Sequence, residues 1–397
     1  MKKLLKTILI LFVSISLVSC SKTENPKAPK KVEKSGKLFP ENKDKLVFDK
    51  RRVGTLNKVN CDIFKNLVKE NGNDKNIFLS PMSIQQSIYM ISLATDDRED
   101  LSGLTSIISG HILNLKLKNS SLSNLITLNL ENIKGETKEI NYDNIRTVKN
   151  SKEASEYYQD FQYSILKEVL DDKELDNTSI AGFFSAVHFE AKWDQAFSKE
   201  KTEKRDFTKL DGTKIQVDTM LNTFKNVKGI SDNNIDMFAI KANGSNIYFI
   251  RKKNNDMLGT GDLLFYILGL KESTETYDVN FYLPKIDIKS SVDCKSSYKK
   301  FVSEKLFNSF KLEKLLGNAE IKITEAKQNS ILKIDENGIN VKDAEKASKE
   351  SNGVAKNGEL TVKMDGPFYI VIEDIEENTN TEMITFSSYI ADPSNNK

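Results

Sequence analysis

Two histidines, three cysteines and 57 acidic residues are the side chains from which a catalytic or metal centre would have to be built in this 397-residue chain. Histidine is the usual general base and the commonest metal ligand, and here there are only His111 and His188. His188 falls inside the apolar run from Ile180 to Phe189, where a hydrogen-bonded core histidine is the expected reading. The chain has no G-x-S-x-G, no H-E-x-x-H and no P-loop. Gly259-Thr-Gly261 lacks the third glycine and the helix start of a dinucleotide turn, so it reads as a loop or bulge. The carboxylates mostly alternate with lysines along solvated faces. These residues assign no catalytic centre, no metal and no cofactor, and the chain is not expected to be an enzyme. With 59 basic residues against the 57 acidic ones the net charge is +2, which argues against a nucleic-acid partner.

The cysteines point to the N-terminus instead. Lys2, Lys3 and Lys6 precede an apolar stretch from Ile8 to Val18, too short for a comfortable membrane span, and Leu17-Val18-Ser19-Cys20 closes it. This is the layout of a signal peptide over residues 1–19. The closing tetrapeptide resembles the bacterial lipobox, which implies cleavage before Cys20 and lipidation of its sulfur; an ordinary secretory signal is the alternative. Acyl chains supply membrane affinity through buried methylenes. From Ser21 to about Gly36 the chain is polar, rich in lysine and broken by Pro26 and Pro29. Such a stretch cannot bury enough apolar surface to offset its ordering entropy, so residues 20–46 read as a lipidated tether and 47–397 as the folded domain. Cys61 and Cys294 could pair in an extracytoplasmic compartment, or Cys61 is a buried free thiol on a helix.

The folded part divides by periodicity. Val53, Leu56, Val59, Ile63, Leu67 and Val68 recur at helical spacing before Asn71-Gly72. Ser80-Pro81 marks an N-cap and first helical position after the brief strand Ile77-Phe-Leu79. Leu101 to Ile108 suggests a third helix, Leu113 to Leu130 reads as a further helix, and Ala154 to Val169 as another. Beyond Asn177 the pattern changes. Ile180 to Phe189 is apolar on both faces, as a strand inside a sheet should be. Further strands are expected at Ile247–Ile250, Leu263–Leu268, Val279–Leu283, Ile331–Ile334, Leu360–Met364, Phe368–Ile372 and Met383–Ile390. The class is therefore α+β, with helices packed on large, mostly antiparallel sheets.

Several segments, in order, resemble the serpin family. Phe78-Leu-Ser80-Pro81-Met-Ser83 is similar to F-x-S-P-x-S, and Phe184 to Trp193 to the strand N-A-x-x-F-K-G-x-W. Leu283-Pro284-Lys-Ile286 is similar to L-P-(R/K)-F, Asp335-Glu336-Asn-Gly338 to the D-E-x-G hinge, Pro367-Phe368 to the P-F strand start, and Phe386 with Pro393 to the closing motif. The matching positions run from about Val53 to Pro393. The resemblance implies an exposed reactive loop offered to a serine or cysteine protease and no cofactor; with the lipobox-like N-terminus, the chain is expected to be a monomer held by lipid on the outer side of a bacterial membrane, or outside the cell. It also implies that Ser80, Ser83, Ser185 and Gln328 belong to the cluster where the central strands part. Ser185 stands for the family's asparagine, Gln328 for its histidine and Ser388 for its closing glycine; because the first two belong to that cluster, opening is expected to be altered.

The loop implied by the resemblance runs from Glu336 to about Leu360. Its hinge holds Glu336, Gly338, Ile339, Val341 and Asp343, and family spacing puts the scissile bond at Asn352-Gly353 or at Lys356-Asn357. If the loop enters the sheet as a strand, alternate side chains must bury. One parity buries Ile339, Val341, Asp343 and Glu345; the other buries Asn340, Lys342, Ala344 and Lys346. Either puts charges beneath the sheet, at a cost of several kcal/mol for each one left without a partner. Two readings follow: an inhibitor acting through its bait loop, or a non-inhibitory surface-binding protein.

Overall fold

The computed structural model describes residues 50–95, 112–113, 115–133, 144–254, 256–259, 261–301, 303–341 and 355–394. The segment with Cys20, the helix expected around Leu101 to Ile108, and Asp343, Asn352 and Gly353 lie outside them.

Helix α1 (Lys50–Asn71) buries Leu56, Val59, Ile63, Leu67 and Val68 along one face, as the spacing predicts, and Gly72 follows it with a φ of +92°. Helix α2 (Pro81–Ala94) starts at Ser80, whose side chain accepts the Ser83 N–H. Met82, Ile84, Ile88, Met90 and Ile91 are all buried, so α2 runs through the interior. Helices α3 (Ser151–Leu166), α4 (Asp262–Glu272), α5 (Lys295–Phe301) and α6 (Glu313–Leu316) complete the set among the described residues.

Three sheets organise the domain. A six-stranded sheet runs β1 (Ile77–Leu79), β19 (Thr381–Ile390), β18 (Phe368–Glu376), β10 (Ser245–Lys252), β9 (Ile235–Ala242), β8 (Gly229–Ser231). A four-stranded sheet runs β17 (Glu359–Lys363), β11 (Tyr277–Pro284), β7 (Lys214–Val227), β6 (Glu203–Thr208). The seven-stranded central sheet contains β3 (Ile145–Val148), β2 (Ser120–Asn129), β4 (Ala181–Phe189), β15 (Ile323–Asp335), β16 (Gly338–Ile339) and β5 (Ala191–Lys192), with β12 (Ile286–Asp293) along the other side of β15. A short ribbon pairs β13 (Phe310–Lys311) with β14 (Glu320–Ile321).

The six-stranded sheet is covered on both faces. Tyr369 and Val371 join the core shared with α1 and α2, while Phe368, Ile370 and Ile372 join a second core beneath the central sheet. That is why β18 reads as an unbroken apolar run. The same two-sided burial explains one misreading. Leu113 to Leu130 is not a helix: β2 occupies Ser120–Asn129, with Ile126 and Leu128 in one core and Leu125 against α3, so no alternation is left to betray a strand. The opposite error occurs at Leu263–Leu268, which is α4. Leu263, Ile267 and Leu270 are buried at helical spacing, and Phe265 is 71% exposed. Short apolar runs do not distinguish the two by period. His188 is also corrected: it points outward near the end of β4, its side chain 30% exposed, with Nε2 3.4 Å from Glu190. Cys61 and Cys294 are free and buried, and burial pushes the Cys61 thiol up to about 12.

Candidate functional site

Strands β4 and β15 lie side by side and parallel through seven registered pairs, ending at Ser330 opposite Val187. Above that point they diverge, and the chain itself fills the fork. After Asp335 it turns through Glu336 and Asn337, and β16 runs back antiparallel, Ile339 against Ile334 on one side and against Ala191 of β5 on the other. Two residues beyond the turn are thus already a strand of the central sheet. Ile339 is fully buried in the core beneath the sheet, beside Ile334 and Leu332. Ile339 thus follows the first of the two parities, while Asn340 is buried as well and Val341 lines the cleft, because the strand ends there. Asn340 then turns the chain out with a φ of +53°.

The turn is held from several directions. The Trp193 indole N–H donates to the Asp335 carbonyl at 2.8 Å, its backbone N–H donates to Asn337, and the Phe197 N–H donates to Glu336. The Glu336 carboxylate accepts from the Thr202 hydroxyl at 2.8 Å and pairs with Lys285 at 3.0 Å. Burial by itself raises this carboxyl's pKa; its own backbone N–H, Lys285 and Thr202 outweigh burial and hold it below the ordinary carboxylate range. Gly338 is required by closeness. A Cβ there would strike the Ala191 carbonyl and the Lys192 backbone. In front of the hinge lies a cleft of about 670 Å³, lined by Ser121, His188, Glu190, Lys192, Trp193 and Val341 among others.

Beneath the seam sits a buried polar cluster. Ser83, Ser87 and Ser185 donate their hydroxyls to Asn124 Oδ1 at 2.8, 2.8 and 2.7 Å, and the Asn124 amide donates to Gln86 at 3.1 Å. Gln328 clamps the backbone of Ser80, accepting its N–H and donating to its carbonyl. Ser330 donates to the Phe78 carbonyl. Each of these bonds runs to α2, β1 or β2, and none crosses between β4 and β15. The outer face of the seam is covered by α3, where Tyr158 stacks on Phe184 at 4.0 Å between centroids and receives a hydrogen bond from Asn329.

The family model described as "Serpin (serine protease inhibitor)" matches residues 126–393. The chain belongs to the serpin family. Among curated proteins it is 24% identical to alaserpin of Manduca sexta over 246 residues, 59% of this chain and 62% of that one, so it spans less than two thirds of that relative. It is 23% identical to alpha-1-antitrypsin 1-4 of Mus musculus over 380 residues, 83% of this chain and 86% of the mouse protein. Among solved structures it resembles tengpin, a thermophilic serpin in its native state, with a TM-score of 0.70 and 18% identity, covering 88% of this chain and 96% of tengpin.

On this serpin frame the expected positions separate into three groups. Glu336, Gly338, Ile339 and Val341, expected as the hinge, lie at the fork, and Ser80, Ser83, Ser185 and Gln328 lie in the polar cluster below it. Lys356 and Asn357 lie where the loop rejoins the body: their backbone N–H groups donate to Thr276, and β17 then pairs parallel with β11. Asn124 and Asn340 were not singled out by sequence. Asn124 lay in a run read as helix, and one asparagine in a polar loop carries no signal of its own.

Proposed function

We propose that this serpin is a protease inhibitor of the bacterial cell envelope, held by lipid on Cys20 at the extracytoplasmic side of a membrane, and that the segment after Val341 is bait for a serine or cysteine protease. The reading rests on one observation: β4 and β15 of the central sheet are paired directly, with no strand between them, yet Gly338 and Ile339 of the loop have entered it at the fork. The register extends without conflict. Ile339 faces Ile334 and Ala191, so a continuing strand would set Asp343 between Ser330 and Val187 and Glu345 between Gln328 and Ser185, positions that already pair with each other. The carboxylates would then meet the polar side chains beneath the seam, where Gln328 has a second amide N–H besides the one given to Ser80 and so reduces the cost of burying Glu345. The N–H groups of Lys356 and Asn357 are held by Thr276, which favours Asn352-Gly353 over Lys356-Asn357 as the bond to be cut.

The test is incubation with trypsin-like and asparagine-directed proteases followed by denaturing electrophoresis. A covalent complex is expected. Cleavage with no complex would favour the second reading, a non-inhibitory surface-binding serpin, which the outward turn at Asn340 supports. The anchor is tested separately: Cys20→Ala should release the protein from membranes, and a mature chain that begins elsewhere than Cys20 sinks that part.

A further inference from the structure

Asn340 is 9% exposed and makes four hydrogen bonds to the two strands that part at the fork. Its backbone N–H donates to the Lys333 carbonyl at 2.8 Å. Its side-chain oxygen accepts the Lys333 N–H at 2.8 Å, and its side-chain amide donates to Ile331 of β15 at 2.9 Å and to Phe189 of β4 at 2.8 Å. A carboxamide carries the same donor and acceptor as a peptide unit. Here it occupies the place where the next peptide of an incoming strand would bond, and it satisfies both edges of the fork at once. The backbone conformation that allows this is left-handed, which asparagine tolerates better than other residues bearing a side chain.

We infer that Asn340 is a latch that holds the loop two residues inside the sheet. Withdrawal would leave Lys333 N–H, Ile331 C=O and Phe189 C=O without the carboxamide that satisfies them, and buried groups in that condition are costly. Advance requires the φ of +53° to become extended and the carboxamide to leave all three. Both moves break the same contacts, so the hinge is poised in the intact protein whether or not a protease is ever trapped.

Hydrogen exchange at neutral pH on the intact protein, followed on a fragment covering residues 331–341, tests the latch. Asn340→Gly keeps the left-handed turn and removes the carboxamide. Asn340→Asp keeps its shape and its acceptor but has no donor for Phe189 and Ile331. Both should exchange roughly tenfold faster in this fragment while β18 and β19 stay as protected as in the parent. Parent-like protection in the glycine variant overturns the latch. So does a Lys333 N–H that is unprotected in the parent, a measurement that stands even if either variant fails to fold.

Discussion

The β18–β19 ladder and the β4–β15 seam are both buried, and they differ in nearly every property that resists separation. The first is antiparallel through nine pairs, with apolar cores on both faces. The second is parallel, a pairing slightly weaker per residue, and it stops at a fork that the loop has entered. Its underside at Ser185, Gln328 and Ser330 is polar. Those side chains are tied to α2, β1 and β2 and not to one another, so the two strands of the seam are joined to each other directly by backbone bonds alone. The ladder is paired along its whole length, whereas the seam ends at a fork.

The contrast breaks most visibly at the top of the fork. Trp193 is 1% exposed, packs edge to face on Phe197 and donates to Asp335. Trp193→Ala should cost about 3–5 kcal/mol, read as a large fall in melting temperature. A change of only a degree or two would mean that the tryptophan does not hold the two regions together. Next in size is Asn124→Ala, which takes away the acceptor shared by Ser83, Ser87 and Ser185. About 2–3 kcal/mol is expected, and hydrogen exchange should rise in β2 and β4 before it rises in β18. Uniform loss across both sheets would erase the distinction.

Much of this was legible in the sequence, and the reasons for the rest are physical. Ser80 and Pro81 announced α2 because a cap is a local event. The strands β4, β10, β18 and β19 were legible because their runs are apolar and bounded. β2 was hidden by burial on both faces, and α4 by an apolar run too short to show its period. The hinge could be placed from Asp335 to Gly338, but which parity buries its side chains could not, since that depends on Ile339 meeting Ala191 and Ile334 across the sheet.

That parity sharpens the comparison at the seam. Cleavage within residues 342–355 should raise the melting temperature, because the freed segment adds a strand to the central sheet. Gln328→Ala should shrink that rise by about 1–3 kcal/mol, the cost of leaving a buried carboxylate short of a donor. The readout is the difference between cut and uncut protein, so an effect common to both forms cancels. An unchanged rise would show that Glu345 does not reach Gln328, and no rise in the parent would show that the charges exclude the loop.

The smallest effect belongs to the turn. Glu336 is held below the ordinary carboxylate pKa by its backbone N–H, Lys285 and Thr202 against the opposing pull of burial. A carboxyl whose pKa is lower in the folded state than in the unfolded one stabilises the fold at pH values above the unfolded pKa, near 4.3. That stability disappears as the pH drops through the lower folded value. Glu336→Gln should therefore cost about 1 kcal/mol at neutral pH, at the low end for a charged hydrogen bond because Lys285 is 39% exposed and screened. Thermal melts of both proteins from pH 7 to pH 3 should converge at the acid end. Parallel curves would mean that the carboxylate's charge does not anchor the hinge, leaving Trp193, Phe197 and Asn340 to hold the entered strand.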